Sequence, residues 1–142
     1  SAVEAGLLHN EHWATELATK QVYDLTGVSP DEIDLFMCND FFLASEIVSA
    51  EECGYIPRGE AWKYAIDGRT AFDGDKPINP HGGRCNFGHA HGASGIADIV
   101  EAVKQMRGVA GATQMKKVPE TAFLRGFGGS QNVRCQILRT VA

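Results

Sequence analysis

The sequence predicts an α/β layered domain, and three observations predict it. Stretches with helical apolar periodicity alternate with short apolar runs, which places helices against a sheet. The short runs are bounded by glycine, proline or polar residues, which marks them as strands rather than further helices. The 142 residues are 44% hydrophobic and 22% charged, enough apolar material for one packed core and too much for a disordered chain.

The elements follow in order. Residues 10–25 read as the first helix: Asn10 supplies a cap, Glu11 an acid in the first turn, and Trp13, Leu17, Val22 and Leu25 approximate one apolar face. Gly27 stops it. Ser29, Pro30, Asp31 and Glu32 combine a cap, a proline at the first helical position and first-turn acids, which suits a single short turn. Residues 33–38 then run as a buried strand. Residues 41–53 read as a second helix ended by Gly54. Residues 58–79 are polar and glycine-bearing, with a turn at Asp73, Gly74 and Asp75, and are expected to form a long loop. Residues 93–107 form an amphipathic helix whose face gathers Ile96, Ile99, Val100, Val103 and Met106, closed by Gly108. Residues 121–124 and 133–138 read as the last two strands. In the second of these Val133, Cys135 and Ile137 alternate with Arg134 and Gln136, so one face is expected to be wet.

Composition excludes several functions. Lys and Arg number 13 against 18 Asp and Glu, a net charge of −5 with no basic stripe, which speaks against a nucleic-acid partner. No apolar run reaches the roughly 18 residues of a membrane span. The four cysteines, at 38, 53, 85 and 135, form no C-x-x-C pair, so free thiols in a reducing, cytoplasmic setting are expected. The first residue is serine and no signal-peptide pattern follows, which suggests a processed chain or a fragment. Trp13 and its apolar neighbours read as core or subunit interface, and Lys116-Lys117 as a solvated turn, with an approach to CoA phosphates as the alternative.

The chain's 16 glycines cluster late, where the backbone is expected to approach something closely. His89 lies in that cluster, just before a helix entered through Gly92-Ala93-Ser94-Gly95. A histidine held there can donate a hydrogen bond to an oxyanion or move a proton. Asn39 and Asp40 follow the end of a buried strand, where α/β folds collect functional groups, although Asp40 also suits a cap for the helix at 41–53. The loop at 126–130 joins the last two strands. These three segments end elements of one sheet and are expected to converge. His81, His89 and His91 have no carboxylate or thiolate at a metal-ligand spacing, so no metal is expected.

The same segments carry a resemblance. Gly88-His89-Ala90-His91-Gly92-Ala93-Ser94-Gly95 is similar to the G-H-P-x-G-[AS]-[ST]-G block of the thiolase superfamily. Ile78-Asn79-Pro80-His81-Gly82-Gly83 resembles the V-N-x-x-G-G before it. Asn39-Asp40-Phe41-Phe42 falls where that family has N-E-A-F or H-D-C-F, and Gly126-Phe127-Gly128-Gly129-Ser130 falls at its C-x-G-G-G or N-x-G-G-S loop. Gly27-Val28-Ser29-Pro30-Asp31-Glu32-Ile33-Asp34 also looks like a frequent stretch of the family. The blocks occur in order over nearly the whole chain and are most similar to the sterol-carrier-type, lipid-transfer branch.

The resemblance implies a layered mixed sheet with helices on its faces. It implies that residues 1–142 are a thiolase-like C-terminal domain, a fragment or split half without the N-terminal, nucleophile-bearing half. The implied chemistry acts on a carbon–carbon bond next to a CoA thioester, with His89 and Asn39 forming an oxyanion hole. Asp40, His91, Gly126, Phe127 and Gly128 are then expected at the substrate. No cofactor is implied, CoA being substrate or product. The implied partners are acyl-CoA and either a second copy or a hetero-oligomeric subunit, including a small zinc-bearing OB-fold protein. Three departures matter. The nucleophilic cysteine has no counterpart here. The acid/base cysteine positions hold Gly126 and Phe41, and Cys38, Asp40 or His91 remain open as substitutes, while the tyrosine nearest a motif is Tyr55. Ala90-His91 stands where the family has proline and an aliphatic residue. Thiolysis is the favoured reaction; retro-aldol cleavage of a β-hydroxyacyl-CoA and a non-catalytic scaffold that binds acyl-CoA or a partner are the alternatives.

Overall fold

In the computed structural model, residues 2–128 and 132–141 are described, with side chains from Ala14 onward. The element order is α1 (Ala2–Thr26), a 3-10 turn (Pro30–Glu32), β1 (Leu35–Cys38), α2 (Leu43–Glu52), α3 (Ala61–Ile66), α4 (Gly83–Phe87), α5 (Gly92–Met106), a second 3-10 turn (Gly111–Thr113), β2 (Thr121–Phe127) and β3 (Val133–Arg139). The sheet has the order β1-β2-β3, with β1 parallel to β2 and β2 antiparallel to β3. This is the α/β layering that the pattern predicts, with the mixed, helix-covered sheet that the resemblance implies.

Alternation along the strands builds a core on each face. Phe36, Cys38 and Phe123 point to one side, where they pack with Ala50, Cys53, Tyr55 and Ile56, and with Val22 and Tyr23 of α1. The Phe36 ring stacks on Tyr55 at 5.2 Å and on Phe123 at 5.6 Å between centroids. Leu35, Met37, Ala122 and Leu124 point to the other side and meet Ala102, Met115, Ile99 and Met106. All four residues of β1 are buried, as a strand covered on both faces requires.

Four details differ from the sequence reading. The first helix begins at Ala2, so Asn10 lies inside it rather than capping it. Among its described side chains Thr15 and Thr19 are buried and Val22 and Tyr23 half-buried, whereas Leu17 and Leu25 are exposed; two threonines satisfied by buried partners stand where periodicity favours leucine. Trp13 lies outside the described side chains. The stretch 58–79 is not a plain loop. It contains α3, a run of six residues too short to show a period, and its end pairs with β1 through an Ile78–Phe36 bridge. The expected wet face of β3 changes as well: Arg134 is exposed, but Gln136 is half-buried and Leu138 packs into the second core.

α5 departs most. Of its predicted face, Ile99 and Met106 reach the core, but Ile96 is 64% and Val100 47% exposed. The residues it buries are Ser94, Asp98, Glu101, Ala102 and Gln105. Gln105 satisfies this polar edge: it donates to Glu101 Oε1 (2.9 Å) and the Thr113 carbonyl (2.8 Å), and accepts from the Met115 N–H (2.9 Å). Because β1 and β2 are parallel, with Cys38 beside Arg125, the chain leaves both at one end of the sheet. The candidate site stands there.

Candidate functional site

A cleft of about 240 Å³ opens at the ends of β1 and β2 and collects residues from four chain segments. Asn39, His89, His91, Gly126, Phe127 and Gly128 all line it, as the sequence anticipates. Arg84, Ser94, Asp98, Asn132 and Arg134 line it too, and these the sequence reading did not single out. Gly129 and Ser130 of the predicted loop lie outside the described residues.

Asn39 is the first residue after β1 and is 5% exposed. Its Oδ1 accepts the Phe41 N–H at 3.4 Å, which turns the chain out of the strand. Asp40, next along, goes elsewhere. Its carboxylate accepts the Arg84 N–H at 2.6 Å and packs against Gly83, where any Cβ would sit 1.9 Å from Oδ2. Asp40 therefore anchors the start of α4, not of α2, whose cap residue is Phe42, and its side chain is not part of the cleft lining. Asn79 ties the two segments together: its Oδ1 accepts the Cys38 N–H at 3.0 Å and its Nδ2 donates to Glu46 Oε2 at 3.3 Å. Burial, helped by the negative charge of Asp40 and opposed by the Asn79 hydrogen bond, pushes the Glu46 carboxyl up to about 7.

The histidine segment is held by a tight turn. The Ala93 N–H reaches the Ala90 carbonyl at 3.1 Å, and His91 between them has φ 46° and ψ −121°. Those angles belong to the first central position of a type II′ turn, which glycine favours. The Ala90 N–H donates to Ser94 Oγ at 2.9 Å and fixes the turn onto the first coil of α5. The N-terminus of α5 thus opens on the cleft through Gly92, Ser94 and Gly95. The His89 ring stacks on Phe41 at 5.6 Å and lies 5.3 Å from the His91 ring.

Beneath the turn lies a buried ion pair between Arg84 and Asp98, whose side chains are 4% and 6% exposed. Arg84 Nη2 also donates to the Ser94 carbonyl at 2.9 Å, while Arg84 Nε and Asp98 Oδ1 have no partner among the described residues. Burial raises the Asp98 carboxyl above its ordinary value, against the pull of Arg84. The sequence marks neither member of this pair, because Asp98 is one of several polar residues on α5 and Arg84 lies on a helix too short to show a period.

Other sequence candidates stand away from the cleft. Cys38 is fully buried in the core, and that burial pushes its thiol up. Tyr55 is 2% exposed and donates to the Pro77 carbonyl at 3.1 Å. Lys117 Nζ lies 2.7 Å from Asp34 Oδ1, at the opposite end of β1, so this lysine serves the far edge of the sheet. His81 stacks on Phe87 at 5.4 Å, and among the described residues no three His, Cys, Asp or Glu side chains are gathered to hold a metal. A second groove, of about 590 Å³, shares Asn39 and Phe127 with the cleft and is walled by Phe41, Phe42 and Val48. No helix among the described residues is long and apolar enough to cross a membrane.

Comparison with known proteins matches this chain to one family. The family model for the thiolase C-terminal domain-like family matches residues 9–139. The chain is 33% identical over 140 residues to the benzoylsuccinyl-CoA thiolase subunit BbsB of Thauera aromatica, covering 94% of this chain and 36% of that protein. It is 37% identical over 122 residues to an acetyl-CoA acetyltransferase of Methanothermobacter thermautotrophicus, covering 84% of this chain and 32% of that protein. Sterol carrier protein 2 of Bos taurus is 36% identical over 98 residues, 69% of this chain and 18% of that protein. Among solved structures, an Ltp2-ChsH2(DUF35) aldolase superposes with a TM-score of 0.71 at 28% identity, over 85% of this chain and 30% of the other. The chain spans about a third of the length of the first two relatives. With the motif residues gathered at one end of a mixed sheet and the family model matching from residue 9 to residue 139, the chain belongs to the thiolase C-terminal domain-like family.

Proposed function

We propose that this chain forms the C-terminal part of an acyl-CoA site that breaks or makes a carbon–carbon bond next to a CoA thioester. The observation that carries the reading is the meeting of His89 and Asn39, from separate segments, in one cleft on which the N-terminus of α5 opens. Cleaving a bond next to a thioester carbonyl leaves negative charge on the thioester oxygen. Two preorganised donors and a helix N-terminus stabilise that charge, and each donor is worth about a hundredfold or more in rate. His89 and Asn39 are the donors in this reading, and Gly126, Phe127 and Gly128 form the wall along which the thioester lies.

The reaction also needs a proton for the α-carbon of the enolate. Among the three substitutes open in the sequence, Cys38 is buried in the core and Asp40 is engaged with the Arg84 N–H, whereas His91 lines the cleft beside His89. His91 is therefore assigned to proton transfer. In thiolysis, imidazolium His91 gives its proton to the α-carbon as the bond breaks, then takes one from the CoA thiol whose sulfur attacks the acyl group. The acyl-carrying thiol comes from outside these residues, and CoA is substrate or product rather than cofactor. Hetero-oligomeric assembly is part of the proposal, supported by a relative that is itself named a subunit.

Retro-aldol cleavage is a second reading, favoured by the likeness to an aldolase and by a glycine at position 126. Parallel incubations of the whole protein with a β-ketoacyl-CoA and with the β-hydroxyacyl-CoA of the same chain, read by intact mass and product analysis, separate the two. An acyl adduct from the β-ketoacyl-CoA that free CoA discharges is expected for thiolysis. Cleavage of the β-hydroxyacyl-CoA to an aldehyde or ketone without an adduct or free CoA assigns the aldolase reaction. Substituting His89→Ala is expected to lower the rate at least about a hundredfold in either reaction, and a near-normal rate removes His89 from the mechanism.

A further inference from the structure

Among the described residues, one buried cation of the second groove has no ion-pair partner. Arg125 lies on the central strand and is 8% exposed. Its Nη2 donates to the Thr15 hydroxyl at 3.0 Å, and its Cζ lies 5.3 Å from the Phe127 ring centroid. Its Nε is buried with no acceptor, and no ion pair reaches Arg125 among the described residues. A guanidinium stays charged in any protein interior, because its proton is held too tightly to leave. Removing such a charge from water is costly, and a neutral hydroxyl and an aromatic face return only part of that cost. A carboxylate in the fork of the guanidinium returns far more.

The position of the groove says where such a carboxylate comes from. Asn39 and Phe127 line both groove and cleft, so the two spaces adjoin at these residues. A thioester with its oxygen at Asn39 can run its acyl tail past Phe41, Phe42 and Phe127 toward Arg125. The apolar walls lower the local dielectric and strengthen whatever pairs with the arginine. We infer that this groove takes the acyl tail and that Arg125 selects tails carrying a carboxylate. The substrate class is then a dicarboxylic acyl thioester. This rests on the acyl-CoA reading of the cleft and adds a substrate preference to it. The competing arrangement pairs Arg125 with Glu52, which lines the same groove from the end of α2, and it predicts indifference to the tail.

Calorimetric titration of the whole protein with glutaryl-CoA and pentanoyl-CoA tests the inference. The two acyl chains have the same length and differ only in a terminal carboxylate against a methyl group. Glutaryl-CoA is expected to bind about tenfold or more tightly than pentanoyl-CoA, the size of a charge-assisted hydrogen-bond pair. Substituting Arg125→Met is expected to abolish that preference, and Arg125→Lys to keep part of it. Equal binding of the two thioesters by the parent protein overturns the inference without recourse to any variant and leaves the acyl-CoA reading standing. Equal losses for both thioesters in Arg125→Met also overturn it, because the arginine would then serve the CoA moiety. Binding of neither thioester overturns both readings together.

Discussion

His91 holds φ 46° and ψ −121° with a side chain, at a turn position that glycine occupies without strain. Such a conformation costs on the order of 1–3 kcal/mol and persists where the surroundings enforce it, commonly at active sites. His91→Gly is expected to melt no lower than His91→Ala, because glycine relaxes the turn, while both lose proton-transfer rate. A lower melting temperature for the glycine variant would reject the strain. Glu46 makes a second residue-scale prediction. Its carboxyl rises from an ordinary 4.5 to about 7 in the fold, so between those values the folded chain holds a proton that the unfolded chain has lost. The Glu46 contribution to stability is full below about 4.5 and is lost as pH rises through about 7, by on the order of 3 kcal/mol. Urea titrations across that window should show a slope that Glu46→Gln removes; an unchanged slope places its origin elsewhere. Asn39, His89, His91 and the 126–128 wall were legible in the sequence because motif and glycine placement mark them. Asp40 was misplaced because its neighbour in space, Gly83, is far from it along the chain.

At the scale of elements, the turn at 88–95 depends on what lies beneath it. Arg84 on α4 and Asp98 on α5 form a buried pair, and Arg84 also holds the Ser94 carbonyl in the first coil of α5. Removing one partner of such a pair strands the other and costs about 3–5 kcal/mol, whereas replacing both with apolar side chains is close to neutral. Arg84→Met and Asp98→Leu are therefore each expected to destabilise strongly, and the double variant much less than their sum. Chemical denaturation of all four proteins checks this; additive losses would show that the pair is not coupled. The helices and strands themselves were readable from apolar spacing and stop signals, within a residue or two for β1, α2 and α5. α3 and α4 were not, because helices of six and five residues span less than two turns and show no period.

At the scale of the molecule, α5 decides how the chain meets its surroundings. Its apolar stripe includes Ile96 and Val100, at 64% and 47% exposed. Exposed apolar side chains on one helix face favour association. The 142-residue chain on its own is expected to self-associate, and the combined change Ile96→Glu and Val100→Glu to reduce this in light scattering. A monomeric parent chain, or association that the double change leaves untouched, would place the sticky surface elsewhere.

The sequence by itself determined the alternation of helices and strands, the end of the sheet where the motif residues meet, and the family resemblance, because these follow from local spacing and from residues adjacent in the chain. Tertiary structure alone decided which face of α5 turns inward, which helix Asp40 anchors, and that Arg84, Asp98 and Arg125 are buried beside the two cavities. The physical reason is that a buried charge is settled by partners brought from distant segments. No period or local motif records those partners before the chain has closed around them.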